Sequence, residues 1–269
     1  MIKFKSFSSG SSGNCYFLGI FTPEGVCEHG ILTDAGVSLR RLRLYLKEEG
    51  LSLDDISDIL VTHDHMDHIR SLGSYCKHLG KKVWAAPGLH KALSYHSITC
   101  DWIGGCRAIL EQGWNEIVPG RISVRYFEVP HDASHTVGYA ILLDGFRYVH
   151  ITDCGRMTQE ALDWCRQADT VTIESNYDPW MLEHGPYPED LQERIRGGNG
   201  HLSNGECAAA IKEFNHPGLR NIFLCHLSEH NNTPELALES AKGALEGFDG
   251  QIPRLVALPR TEPTPLWTL

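Results

Sequence analysis

Residues 63 to 68 read His-Asp-His-Met-Asp-His and follow directly on the apolar run Asp58-Ile59-Leu60-Val61-Thr62. His63, His65, Asp67 and His68 thus crowd potential metal ligands into six positions. Neutral imidazole with carboxylate is the donor mix that zinc and comparable divalent ions take. Side chains repeat every two residues along an extended chain, so His63 and His65 face one way and converge on one ion. Where the chain turns into a helix near His68, Asp67 and His68 swing toward a second ion, as two-metal hydrolases need at roughly 3.5–4 Å separation. Six residues cannot close two coordination shells. His131, Asp153 and His226 each stand where an apolar run (122–130, 146–152, 221–225) meets a loop, and they are the candidates for completing the shells. The chemistry implied is metal-assisted hydrolysis.

The elements that must position these groups are legible as two periodicities. Short apolar or alternating runs at 2–7, 15–21, 30–33, 59–62, 82–86, 122–129, 137–143, 146–152, 170–174, 221–225 and 255–258 read as strands. Helix-period segments fall at 39–49, 69–79, 88–95, 158–167, 189–196, 203–214 and 234–248. Ser203 followed by Glu206 fits a capping box, and Thr233 before Pro234 fits a helix start. The mixture predicts an α/β protein with two sheets and helices outside them. The Ser-rich stretch 6–13 is expected to be a tight loop beside the site, because strand-like runs flank it. No Pro-rich or charged linker divides the chain, so one domain over 1–269 is expected.

Composition bounds the function. The formal charge is −10, from 24 Lys+Arg against 34 Asp+Glu, which does not advertise nucleic-acid binding as a basic protein would. A bound metal pair adds about four positive charges locally and reverses that field at the site. Nine cysteines are an odd number, are scattered and form no Cys-x-x-Cys pair, which favours reduced thiols in the cytoplasm and excludes a zinc-finger type of site. No apolar stretch approaches the ~18 residues of a spanning helix, so no membrane association is expected.

The ligand run resembles the metallo-β-lactamase superfamily, whose His-x-His-x-Asp-His signature is matched in full at 63–68. The resemblance implies a four-layer αββα sandwich of two mixed sheets flanked by helices. It also implies two divalent ions, zinc or manganese: His63, His65 and His131 on the first, Asp67, His68 and His226 on the second, and Asp153 bridging. Asp34 matches an early structural Asp that supports the ligand loop. Lactamases of the common type carry Cys where this chain has Asp153, so antibiotic hydrolysis is disfavoured. Glu174 and His201 match a pair of the tRNase Z branch, where the His is thought to protonate the leaving oxygen and the Glu to orient it.

Stretches along nearly the whole chain are similar to the YycJ (WalJ) proteins, a bacterial branch of the superfamily. They are residues 8–16, 129–133, 137–139, 174–176, 200–204 and 226–232, together with the ligand run; His230 departs from the small polar residue expected there. This resemblance implies a phosphodiesterase acting as a 5′-to-3′ exonuclease on DNA, with a part in DNA repair. Asp67, His201 and Glu174 would be catalytic. The gap from Asp153 to His226 leaves no room for the β-CASP insertion of the larger nucleases, so substrate grip is expected from Ser11, Ser12, Asn14, Ser203 and Asn204. Two other readings stay open on the residues: a thioesterase or lactonase for small molecules, and a metal-stabilised accessory protein in signalling.

Overall fold

A computed structural model describes residues 1–269. The strands and helices run in the order β1 (Ile2–Gly10), β2 (Gly13–Phe21), β3 (Cys27–Thr33), α1 (Leu39–Glu48), β4 (Ile56–Leu60), α2 (Met66–Ile69), α3 (Leu72–Leu79), β5 (Lys82–Ala85), α4 (Pro87–Tyr95), β6 (Arg107–Ile109), β7 (Asn115–Val118), β8 (Ile122–Glu128), β9 (Val137–Leu143), β10 (Phe146–Ile151), α5 (Gln159–Cys165), β11 (Thr170–Glu174), α6 (Pro179–His184), α7 (Glu189–Arg196), α8 (Asn204–Phe214), β12 (Asn221–Cys225), α9 (Pro234–Ala244), β13 (Arg254–Ala257) and β14 (Trp267–Thr268). Two seven-stranded sheets result, ordered β14-β1-β2-β3-β4-β5-β6 and β13-β12-β11-β10-β9-β8-β7. Both are mixed, since each combines antiparallel hairpins with a parallel run.

The chain divides into two compact units. The first comprises Met1–Tyr126, Ala133–His135 and Pro259–Leu269. In it β3, β4, β5 and β6 are parallel neighbours, so α1, α3 and α4 serve as their crossovers. Leu42 and Leu46 of α1, Leu72 and Tyr75 of α3, and Leu89 and Leu93 of α4 pack on Phe17, Leu32, Ile59 and Val83 in one buried cluster. Full burial of each such side chain contributes about 1.5–3 kcal/mol. The Ser-rich stretch is a β-hairpin: β1 continues to Gly10, Gly13 opens β2, and only Ser11 and Ser12 form the turn. The helix expected at 69–79 is two helices, α2 and α3, separated at Arg70 and Ser71.

The second unit comprises Phe127–Asp132 and Thr136–Leu258. Here β10, β11, β12 and β13 are parallel, and α5, α8 and α9 carry the chain between them. Their apolar faces, among them Leu162, Ile211, Phe214 and Ala241, join Val149, Ile151, Val171, Ile173, Ile222 and Leu224 in a second core. The capping box foreseen at Ser203 and Glu206 is present in full, and Thr233 caps α9 through the Leu236 amide. Four elements escaped the sequence reading: β6, β7, β14 and α6. The strands among them have two to four residues, too short to show a period. The start of α6 was readable, because Asp178 accepts from Met181 N and Pro179 stands at its first position. The nine cysteines are all free, and no helix is long and apolar enough to cross a membrane.

Candidate metal centre

In the first unit the ligand loop hangs from one buried carboxylate. Thr33 of β3 and Leu60 of β4 are direct neighbours, so Asp34 and the segment after Leu60 leave the sheet side by side. Asp34 is fully buried and adopts a left-handed backbone, φ 64. Its carboxylate accepts from Thr62 N at 2.8 Å, from Thr62 Oγ1 at 2.9 Å and from His68 Nδ1 at 2.7 Å. Because the single hydroxyl proton of Thr62 points to Asp34, Thr62 Oγ1 must accept from His63 Nδ1, 3.0 Å away. His63 and His68 are therefore both Nδ1–H tautomers, and each presents the lone pair of Nε2.

The rings of His63 and His68 lie 4.0 Å apart between centroids and those of His63 and His65 4.8 Å. Asn14 reaches in from β2, with Nδ2 3.0 Å from Asp67 Oδ2 and 2.9 Å from His68 Nε2. Such proximity of three segments requires Gly36: a Cβ there would stand 1.8 Å from Asp67 O and 2.4 Å from Asn14 N.

The second unit gathers its groups at the carboxyl ends of parallel strands. Asp153 follows β10, Glu174 ends β11 and His226 follows β12. His131 follows β8, and His201 precedes the cap of α8. Asp153 and His226 also adopt left-handed backbones, with φ 47 and 53. Non-glycine residues rarely do so, and such conformations collect at functional sites. Apart from Asp144, in the tight turn between β9 and β10, the chain's non-glycine residues of positive φ are Asp34, Asp153 and His226.

Glu174, fully buried, organises this set. Oε2 accepts from the backbone amides of Cys154 and Leu202 at 2.8 and 3.1 Å. Oε1 accepts from His201 Nδ1 at 2.7 Å and His226 Nδ1 at 3.0 Å. His131 donates through Nδ1 to Gly200 O at 2.8 Å, which again turns Nε2 outward. Its Nε2 is 3.8 Å from Asp153 Oδ1, an oxygen that lies 3.3 Å from His226 Nδ1 and 3.5 Å from His201 Nδ1. Asn176 Nδ2 donates to His226 O at 2.8 Å and steadies the strained residue.

The electrostatics follow from the pairing. Burial alone would raise the Glu174 carboxyl, but the His201 imidazole and the hydrogen bonds from His201 and His226 hold it below the usual range. Burial works against a charged His201, yet the Glu174 carboxylate outweighs it and lifts that imidazole above the ordinary value. Burial pushes His131 down, past the opposing pull of Asp153.

These residues fit divalent cations by the chemistry of the donor set. The histidines His63, His68, His131 and His226 each have Nδ1 committed to an oxygen, which fixes the tautomer and leaves Nε2 as the ligand atom, the arrangement that metal-binding histidines use; at His68 that nitrogen accepts from Asn14 Nδ2. Within the second unit Asp153, Glu174, His201 and His226 offer atoms all within 4.8 Å of one another. Of the expected substrate contacts, Ser11 and Ser12 are exposed at the hairpin turn. Asn14, Ser203 and Asn204 are buried. Asn14 is spent on Asp67 and His68, Ser203 on Glu206, and Asn204 on Ser175 and Asn232. Sequence reasoning missed Thr62, Asn176 and Asn232 as supports. Asn232 donates to Ser175 O and Asn176 O, tying the loop after His226 to the end of β11.

Known proteins resemble the chain in sequence and in fold. The family model described as a β-lactamase superfamily domain matches residues 29–226. The chain is 32% identical over 247 residues to exodeoxyribonuclease YycJ of Bacillus anthracis, covering 91% of this chain and 89% of that one. It is 31% identical to exodeoxyribonuclease WalJ of Streptococcus pneumoniae D39, covering 87% and 85%. Among solved structures it is similar to the metallo-β-lactamase fold protein YhfI of Bacillus subtilis, with TM-score 0.67, 16% identity and coverage of 98% and 99%. The short form of human tRNase Z is also similar, with TM-score 0.62, 15% identity and both chains covered in full. Matched on its own residues and along most of its length, the chain belongs to the β-lactamase superfamily, with the metallo-β-lactamase fold, in the family of the YycJ and WalJ proteins.

Proposed function

We propose that this chain is a dinuclear phosphodiesterase, a 5′-to-3′ exonuclease acting on DNA in the cytoplasm, with DNA repair as its setting. The coarser statement, a metal-dependent hydrolase of the nuclease kind, rests on the family and on its exodeoxyribonuclease relatives. The finer one assigns His63, His65 and His131 to one ion, Asp67, His68 and His226 to a second, and Asp153 to both, with zinc or manganese in both places. Residues 1–269 act as one catalytic domain in this reading. Bound there, such a pair supplies activation of water near neutral pH and neutralises charge on the phosphate.

The chain's own groups do the rest. Asp67, held by Asn14, orients the attacking water. His201 rests with Nδ1 on Glu174 and offers Nε2–H to the departing oxygen. Its side chain is 21% exposed against 0% for Glu174, so the donor reaches substrate while its partner stays dry. Glu174 then carries no proton; it stabilises the imidazolium before transfer and realigns the neutral ring after it. Ser11 and Ser12 contact the strand, whereas Asn14, Ser203 and Asn204 act beneath the surface by positioning.

The observation that carries this reading is the Glu174–His201 pair, because ligands alone would serve any hydrolase of the fold. A thioesterase expels a thiolate, which needs less help from a general acid than an alkoxide does, although the net charge of −10 suits a small substrate. Single- and double-stranded DNA, RNA and thioesters assayed side by side with each candidate metal decide between them. His201→Ala should lower phosphodiester turnover by about 10²–10⁴-fold with both metals retained, while Asp67→Ala should lose activity and one metal. Unchanged turnover and metal content in both variants would overturn the assignment.

A further inference from the structure

The site's segment of the first unit is continuous with a stripe of cations. His68 O accepts from Ala35 N at 2.7 Å and Ala35 O from Ser71 N at 2.9 Å, so the ligand helix is stitched to the loop that enters α1. Within eight residues α1 then carries Arg40, Arg41, Arg43 and Lys47, all exposed. Leu42 and Leu46 are buried on its other side. Arg40, Arg43 and Lys47 stand at i, i+3 and i+7, one face of the helix. They border a concavity of about 700 Å³ together with Arg41 and Tyr45.

Three features of this stripe favour a bound polyanion. First, the chain has ten more acidic than basic groups, yet none of these four cations pairs with a carboxylate. Arg121, Arg166, Arg194 and Arg220 all do so, with Glu28, Asp163, Asp132 and Asp169. Second, the first turn of α1 has no acidic residue and holds Arg40 and Arg41 instead. Cations there oppose the helix dipole, and an anion bound to them relieves that opposition. Third, Arg41 is already immobilised. Its guanidinium donates to Tyr45 Oη at 2.8 Å and to Thr261 O at 2.7 Å, and the Tyr45 ring is stacked on Phe7.

We infer that α1 is a track for the sugar-phosphate backbone of a single nucleic-acid strand, holding it beside the hydrolytic site through Arg40, Arg41, Arg43 and Lys47. Positions 40 to 47 span roughly 10 Å of helix, so the three cations of that face form a row along which the phosphates of one strand can run. An acidic exonuclease needs such a local reversal of charge to retain a polyanion between cuts. The inference rests on the nuclease reading for its meaning but not for its test.

The test is binding of a fluorescent, phosphorothioate-linked 20-nucleotide strand to the metal-loaded full chain, read by anisotropy across a salt series. The combined variant Arg40→Gln, Arg43→Gln, Lys47→Gln should weaken binding about tenfold and lower the slope of log Kd against log salt by about 2, as loss of three phosphate contacts on a single strand requires. A control of equal charge change at exposed positions, Lys91→Gln, Lys212→Gln, Lys242→Gln, should leave the slope in place. Equal losses in both variants, no loss in either, or no strand binding by the wild-type chain would overturn the inference. Should the wild type bind through α1 yet cleave no phosphodiester, the nuclease reading fails and the track stands. If it cleaves while the α1 variant binds as wild type does, the track fails and the reading stands.

Discussion

Asp34 and Glu174 perform the same task in the two units by different means. Each is a fully buried carboxylate at a strand end from which histidines are hung. Asp34 draws its donors from Thr62 and His68, two residues of one loop six positions apart. Glu174 draws its donors from Cys154, Leu202, His201 and His226, three separate stretches of chain. The donors to Asp34 sit in one short run, and a single strand pairing, Thr33 beside Leu60, brings the carboxylate to them. Those held by Glu174 depend on parallel strand register, since β10, β11 and β12 must end together. The second arrangement also places an imidazole, His201, on the hub in addition to His226, which in the proposed mechanism makes Glu174 a partner in proton transfer as well as a support.

Glu174→Gln should therefore be the most damaging change. It removes the charge that sustains the His201 imidazolium and presents an NH2 group toward buried donors, so turnover should fall by at least about 10³-fold and stability by roughly 2 kcal/mol. Asp34→Asn should instead act through metal retention, with affinity lowered about 10–100-fold and turnover largely restored by excess metal. Metal titrations of the two variants side by side check this, and a Glu174→Gln enzyme rescued by metal would erase the distinction.

The next effect concerns strain. At φ 47, Asp153→Gly relieves the left-handed backbone while Asp153→Ala keeps it, so the glycine variant should be the more stable by about 1 kcal/mol in denaturant titration. Both should lose metal. Equal stabilities would mean that the loop after β10 adapts to its occupant. Asn176→Ala, which frees the backbone of His226, should reduce metal affinity about tenfold with little change in fold, as isothermal titration would read. Smallest of all, Ser11→Ala should raise KM for a DNA strand about threefold at constant kcat; a fall in kcat would place this serine in the chemistry.

The same contrast decides what is legible in the amino-acid sequence. The run 63–68 is compact, so residue type and two-residue alternation sufficed to read it. His131, Asp153 and His226 were legible because each stands where an apolar run ends, a signal of position rather than of neighbours. Glu174 and His201 lie 27 positions apart, and only the resemblance joined them. Asn14, Ser203 and Asn204 look like surface grip in sequence, since polar residues beside a site are ordinarily solvated. Their burial reflects hydrogen-bond closure among Asn14, Asp67 and His68, and among Ser175, Asn204 and Asn232, which no periodicity announces.

The central proposal is that both sets of side chains serve one pair of cations. Anomalous diffraction from crystals of the chain loaded with manganese or zinc tests it most directly. Two peaks are expected per chain, one bound by Nε2 of His63 and His131 with His65, the other by Asp67, His68 and His226, at about 2.0–2.2 Å from each ligand atom if the metal is zinc, with Asp153 touching both. Anomalous density that is absent from these residues under saturating metal, or confined to one unit's ligands alone, would contradict it.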